Sequence, residues 1–383
     1  MELEWLVHTD GAAADRCAGE DLTGFAAELE RGAGPRLPAG GTVSLEPGGQ
    51  LELSTRPADS LGDCVRDAAE DLAVLRELAA GRGLVLRGAG LDDRPPRLRV
   101  ALPRYLALDH YYRRAGDFGR TLLCGTASVQ VNVDAGDGSR GWRGRARRWA
   151  LANALGPVLM AMFANSPATV RGAFVRSGRQ VLRLRTDPAR SGPLPPAGDP
   201  RVLWAEYALD SAVVGIRSPE GDAWTVPSRA LTLRHWLRAG EPRPIHPSDV
   251  LHHLKSLVAP VRACGHLELR MIDAQSDDHW AVPPAVVAAL LDEEEASDTA
   301  WRLLGPSATS SCRADWLRAA GAGLSDPALA LVARAVMGIA LTGLARLDVP
   351  SWVCEAVERY ADTYTMRGLS PADSRPAGVV PAA

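Results

Sequence analysis

Residues 44–54 read Ser44-Leu-Glu-Pro-Gly-Gly-Gln-Leu-Glu-Leu-Ser54, and two short alternating runs flank a Pro-Gly-Gly turn. Val43 and Leu45 point one way and Ser44 and Glu46 the other. After the reversal at Pro47-Gly48-Gly49, Leu51 and Leu53 alternate with Gln50, Glu52 and Ser54. Successive strand residues face opposite sides, so this is a β-hairpin with one apolar and one polar face. A three-residue turn sets Glu46 opposite Gln50 and leaves Glu46 and Glu52 on the same face.

The same scheme recurs outward from the hairpin. In residues 2–7, Leu3, Trp5 and Val7 alternate with Glu2 and Glu4. In residues 126–134, Ala127, Val129, Val131 and Val133 alternate with Thr126, Ser128, Gln130, Asn132 and Asp134, and in residues 266–271, Leu267, Leu269 and Met271 alternate with His266, Glu268 and Arg270. Residues 180–187 are read as a further strand, with Arg183 and Arg185 on one side and Leu182 and Leu184 on the other. Hairpin connection and alternation predict an antiparallel sheet with helices packed on its apolar side, an α+β architecture.

Helical spacing is expected over 59–80, 103–118, 143–164 and 247–261, the last capped by Ser248. The Ala/Leu-rich stretch 283–370 reads as a helical C-terminal part. Pro/Gly-rich segments at 32–41 and 192–200 read as linkers and residues 371–383 as a disordered tail. One catalytic domain, 1–370, is the simplest organisation.

Composition narrows the function. A formal net charge of -3 leaves no basic field for nucleic acid or anionic lipid. Lys255 is the sole lysine, so there is no Gly-Lys-Ser/Thr phosphate loop, and a lysine Schiff base is disfavoured. The six cysteines, Cys17, Cys64, Cys124, Cys264, Cys312 and Cys354, form no C-x-x-C pair and fit a reduced cytoplasm. No signal-peptide pattern opens the chain, and the most apolar stretch, 149–163, is too short to span a membrane.

Glu2, Glu4, Glu46 and Glu52 would crowd carboxylates onto one small area, where like charges repel unless a cation lies among them. Oxygen donors without a Cys/His set suit Mg²⁺ or Mn²⁺. Arg183, Arg185, Arg190 and Arg270 could face phosphate or a substrate carboxylate. Acids, hard cations and arginines together describe phosphoryl transfer from ATP. Against this, an alternating polar strand is usually no more than a solvated sheet face. Its recurrence on four strands favours a site.

The hairpin motif resembles the plant-type glutamate-cysteine ligase family, in particular its actinobacterial ergothioneine-pathway branch. Glu2-Leu-Glu4-Trp5 is similar to the family's opening strand, residues 126–134 to its central strand, 184–190 to its substrate loop and 266–275 to the strand that closes the site. These segments follow family order over roughly three quarters of the chain. The resemblance implies a fold like the catalytic domain of glutamine synthetase and the guanidino kinases, cupping nucleotide and metals. It implies that ATP phosphorylates the glutamate γ-carboxylate and that the cysteine amine displaces phosphate.

By resemblance, Glu2, Glu4, Glu46 and Glu52 carry the metals and ATP phosphates, Gln130 and Asn132 line the floor, and Arg185, Arg190 and Arg270 hold the glutamate carboxylate or the transferred phosphate. Glu46, Glu52 and Arg270 would be catalytic, and Gln130, Asn132, Arg185 and Arg190 substrate-binding. Simpler roles stand beside these. Glu52 could pair with an arginine, Arg183 could be solvated, and Asp187 could cap the turn before Pro188. His252, His253 and His266 lack metal-ligand spacing and read as structural, and Cys124 reads as a small buried residue. The family's first strand normally has residues before it, including a glycine, whereas Met1 opens directly on the strand, so translation starts upstream or that edge is trimmed. The rival readings are a ligase of the same fold with another acceptor amine, and a noncatalytic glutamate- or nucleotide-binding relative. A monomer or homodimer is expected.

Overall fold

In the computed structural model, which describes residues 1–9, 37–227, 230–305 and 312–379, the 44–54 hairpin forms as its pattern requires. The Gly49 N–H donates to the Glu46 carbonyl and the Glu46 N–H to the Gln50 carbonyl, closing the turn. Gly49 adopts φ +83°, which favours glycine, and a Cβ on Gly48 would lie 1.8 Å from the Cys124 carbonyl oxygen. The turn therefore needs both glycines, one for its dihedral and one for a close approach.

Twelve strands are described: β1 (Glu2–Thr9), β2 (Thr42–Leu45), β3 (Leu51–Ser54), β4 (Leu84–Arg87), β5 (Ser128–Asp134), β6 (Ala168–Val170), β7 (Ala173–Val175), β8 (Ile216–Arg217), β9 (Trp224–Thr225), β10 (Val261–Ala263), β11 (His266–Asp273) and β12 (Gly378–Val379). The main sheet runs β10-β11-β5-β1-β3-β2 with antiparallel neighbours, and β4 pairs with the far half of β1. Its apolar face carries Leu3, Trp5, Leu45, Leu51, Leu53, Val129, Val131, Val133, Leu267 and Leu269, all buried. Helices Leu61–Ala80, Arg145–Met162 and Val282–Asp292 belong to the same core. Each fully buried Leu or Val contributes about 1.5–3 kcal/mol. The fold is α+β, and the sheet's polar face is left for other work.

The helix Leu61–Ala80 starts where Ser60 accepts from the Asp63 N–H. The stretch expected as one helix over 103–118 is broken at Gly116, φ +63°, into Pro103–Tyr112, a short 3₁₀ turn and Asp117–Cys124. Pro247–Lys255 is capped by His246, whose ring accepts from the Ser248 N–H while Asp249 closes a capping box, so Ser248 is not the cap. The C-terminal part is helical, as its spacing predicts.

Three expectations are corrected. Residues 180–187 are not a strand: Gly178–Thr186 is a helix begun by Ser177, and its residues 178–184 are all buried. Over eight residues, alternating Leu and Arg also fits a helix, and the decisive spacing is Arg179 to Arg183, i to i+4 on one face. Residues 371–379 are not a disordered tail. Pro371–Ser374 forms a 3₁₀ turn with Pro371 and Ala372 buried, and β12 pairs parallel to β6; residues 380–383 lie outside the described residues, as do Cys17 and residues 32–36 of the first linker. The most apolar stretch is not 149–163: among the described residues Pro327–Leu344, mean hydropathy 1.7, is the helix long and apolar enough to cross a membrane, while 149–163, as expected, is not one. It packs on Val282–Asp292 among other elements, and Ala330, Ala333, Val336, Met337 and Ala340 are buried while its other face is open.

Candidate active site

Strand register decides which side chains meet. Glu4 lies opposite Glu52, Glu2 opposite Ser54 on one side and Gln130 on the other, Ser44 opposite Glu52, and Asn132 opposite Glu268. With Glu46 just past β2, this brings Glu2, Glu4, Glu46, Glu52, Gln130 and Asn132 onto one face, as the alternation predicts. A bulge in β11 between Leu269 and Ile272 shifts the strand by one residue at Arg270. Beside it the Arg270 guanidinium meets Glu268 in a short ion pair.

A cleft of about 770 Å³ opens over part of this face: Glu4, Glu46, Gln50 and Arg104 line it together with Arg179, Arg183, Arg270 and Trp224, whereas Glu2, Glu52, Gln130 and Asn132 are not among its lining. Glu4 is held in place: its two carboxylate oxygens accept from the Ser128 N–H at 2.8 Å and the Gln130 amide at 2.7 Å. Glu52 accepts from Ser44 at 3.1 Å and Ser54 at 3.3 Å, and pairs with no described arginine. Hydroxyls alone do not offset its surroundings. Burial, then Glu4, Glu46 and Glu2, push the Glu52 carboxyl up to about 8. Burial and Glu4 raise Glu46 to about 7, partly countered by Arg104 and Arg270, and burial and Glu268 raise Glu2. These acids favour protons, or another cation, at neutral pH.

The donor set passes a second test. Gln130 Oε1 and Asn132 Oδ1 are buried on this face without a hydrogen-bond partner. Buried amide oxygens are seldom left bare, and they are ligands a hard cation or an ammonium accepts.

The arginines divide. Burial works against the Arg270 charge, and Glu268, Glu2 and Glu4 outweigh it, so the group stays firmly protonated. Arg185 is exposed on its helix and does not line the cleft. Arg190 is fully buried, paired with Asp187 at 3.2 Å, donating to Ser256, and seated over the Tyr111 ring, also outside the cleft lining. Asp187 makes no capping bond; it accepts from Tyr111 and Arg190. The structure thus does not bring Arg185 and Arg190 together with the acids.

Other residues of the site went unassigned in the sequence. Glu268 is reached by the same period of two that finds Arg270. Arg179 needed the helical reading of 178–186, whereas Arg183, already a candidate for phosphate or carboxylate, lines the cleft from that helix rather than from a strand. Gln50 holds the turn, accepting from the Gly48 N–H and donating to the Thr126 carbonyl. His253 is structural, its ring bonded to the Ala208 carbonyl and pushed down by burial to about 4, and Cys124 is buried with its thiol pushed up to about 12.

Comparison with known proteins agrees with the geometry. The family model described as glutamate-cysteine ligase family 2 matches residues 1–374. Glutamate–cysteine ligase EgtA of Mycobacterium tuberculosis is 38% identical over 354 residues, covering 88% of this chain and 77% of that protein. EgtA of Mycolicibacterium smegmatis is 37% identical over 309 residues, covering 76% and 68%. The chloroplastic glutamate–cysteine ligase of Brassica juncea is 28% identical over 267 residues, covering 66% and 50%. The chain belongs to glutamate-cysteine ligase family 2.

Proposed function

We propose that the protein joins the γ-carboxylate of glutamate to the amino group of cysteine at the expense of ATP, giving γ-glutamylcysteine for ergothioneine biosynthesis in the cytoplasm. The observation that carries the chemistry is the face shared by Glu2, Glu4, Glu46 and Glu52, on which burial and mutual repulsion raise the carboxyls of Glu2, Glu46 and Glu52 and so favour a cation. Family membership supplies the reaction, and the sheet's cup fits a fold of the glutamine synthetase and guanidino kinase type.

Glu2, Glu4, Glu46 and Glu52 would hold Mg²⁺ or Mn²⁺, and Gln130 and Asn132 offer further oxygens. Held there, such cations would supply charge neutralisation for the triphosphate and the transferred phosphoryl group. Glu4, tied by Ser128 and Gln130, keeps its oxygens fixed and loses little freedom on binding. Arg270 extends positive charge from β11 toward the acids, placed to stabilise the acyl phosphate and the phosphate that leaves when the amine attacks. The cleft walls Leu102, Tyr105, Leu108, Tyr112 and Trp224 shield that mixed anhydride from water.

A coupled assay of ADP release tests the reading. Glutamate plus cysteine giving stoichiometric ADP supports it. ADP release only with another amine identifies a ligase with a different acceptor, and nucleotide binding without turnover identifies a noncatalytic relative.

A further inference from the structure

Four arginines are buried among the described residues: Arg148, Arg179, Arg183 and Arg190. Three sit against a carboxylate, Arg148 at 2.6 Å from Asp292, Arg179 at 3.6 Å from Asp273 and Arg190 at 3.2 Å from Asp187. Arg183 does not. Its side chain is 6% exposed and its guanidinium bonds only to carbonyls, those of Val258 at 2.6 and 3.2 Å and Arg270 at 3.3 Å. Burial, and then its charged neighbours Arg270 and Arg179, hold its pKa well below the ordinary arginine range. A buried cation beside two others, with no anion of its own, is costly unless something else supplies the charge.

Arg183 lines the cleft, whereas Arg148 and Arg190 do not. A guanidinium has five N–H donors, and the three contacts above leave two for the cleft. Two N–H groups on a planar fork match the two oxygens of a carboxylate. Resting on the ligase reading, we infer that Arg183 is the receptor for the α-carboxylate of an amino-acid substrate, in the cleft that Glu4 and Glu46 also line. Triphosphate arrives with its own cations at Glu4 and Glu46, but an amino-acid α-carboxylate arrives bare. Glutamate carries two carboxylates, and only one may be phosphorylated. A cation away from the acids makes that choice by holding the other.

The test compares whole and truncated substrates: glutamate against its α-amide, and cysteine against cysteamine, in wild type, R183Q and R183K. Losing a charge-assisted pair costs on the order of 10²-fold in kcat/KM, so wild type prefers one whole substrate by that factor. In R183Q that preference collapses to within a few-fold, R183K retains part of it, and the KM for ATP is unchanged. The pair that collapses says whether glutamate or cysteine is held. The inference is overturned if wild type discriminates in neither pair, if both preferences survive in R183Q, or if the KM for ATP rises while they survive, which would make the anion a phosphate. The wild-type arm and R183K decide the matter if R183Q does not fold. Should wild type release no ADP with glutamate and cysteine, the ligase reading fails separately. Calorimetric binding of glutamate or cysteine, present in wild type and lost in R183K or R183Q, would still identify the receptor, and its persistence would remove it.

Discussion

On β1, β3 and the turn after β2 the acidic side chains are crowded and short of partners, whereas on β11 the charges are matched, as is Arg179 on the helix Gly178–Thr186. Glu2, Glu46 and Glu52 receive hydroxyls or distant cations at best, and their carboxyls are raised. In the same sheet, Arg270 and Arg262 share Glu268, and Arg179 of the neighbouring helix meets Asp273. A protein interior tolerates unmatched charge only where a ligand completes it. On the reading proposed above, the acidic carboxylates take cations, and Arg183 is the buried arginine that takes an anion.

The harshest way to break that contrast is to neutralise an acid. Glu46→Gln or Glu52→Gln should lower turnover by on the order of 10³-fold, since a group that holds the charge of phosphoryl transfer has no substitute. The metal-free variants should melt no lower than the parent, because a repelling charge has gone. Normal ADP release from both at ordinary magnesium would take these residues out of the metal site.

A matched charge behaves in the opposite way. Arg190→Met leaves Asp187 without its guanidinium inside the fold, and breaking a buried pair costs about 3–5 kcal/mol. Thermal melting should show that loss, with the KM for glutamate little changed at temperatures where the variant stays folded. A raised KM at full stability would return Arg190 to the substrate.

Acidity sharpens the comparison further. With carboxyls near 7 and 8 in the fold and near 4.5 in the unfolded chain, the metal-free protein holds more protons than the unfolded chain between those values. Stability from these groups is fully present below about 4.5 and is lost as pH rises through 7 and 8. The melting temperature of metal-free protein should fall from pH 6 to pH 8. Magnesium should restore more of it at pH 8, where it no longer competes with protons. A magnesium effect equal at both values would show that these carboxyls are not its ligands.

The acidic face was legible in sequence because two constraints coincide there, a period of two and a turn whose length fixes the register of Glu46 and Glu52. The arginine wall was legible only in part, since Arg183 and Arg270 were named but Arg179 was not. Residues 180–187 satisfy a strand pattern and a helix pattern equally over so short a run, and burial on all sides removes the polar stripe that would separate them. The bulge that places Arg270 and the pairing of Glu268 with Arg262 and Arg270 are tertiary facts, written in the meeting of β11 with β5 and β10.

The smallest expected effect falls on Arg185, which the family resemblance assigned to substrate and the helix places outside. Arg183 and Arg185 are two residues apart, so a strand would aim both at the cleft. A helix turns about 100° per residue and separates them by about 200°, leaving Arg183 inward and Arg185 exposed. An exposed side chain without a described ion pair costs within about 0.5 kcal/mol when truncated. Arg185→Ala should keep its melting temperature and its KM for glutamate within about twofold, while R183Q shifts a substrate preference by on the order of 10²-fold. A tenfold rise in the KM for glutamate at unchanged stability would mean that this face of the helix turns to the substrate. The contrast between a matched wall and an unmatched floor would then have been drawn on the wrong side of residue 185.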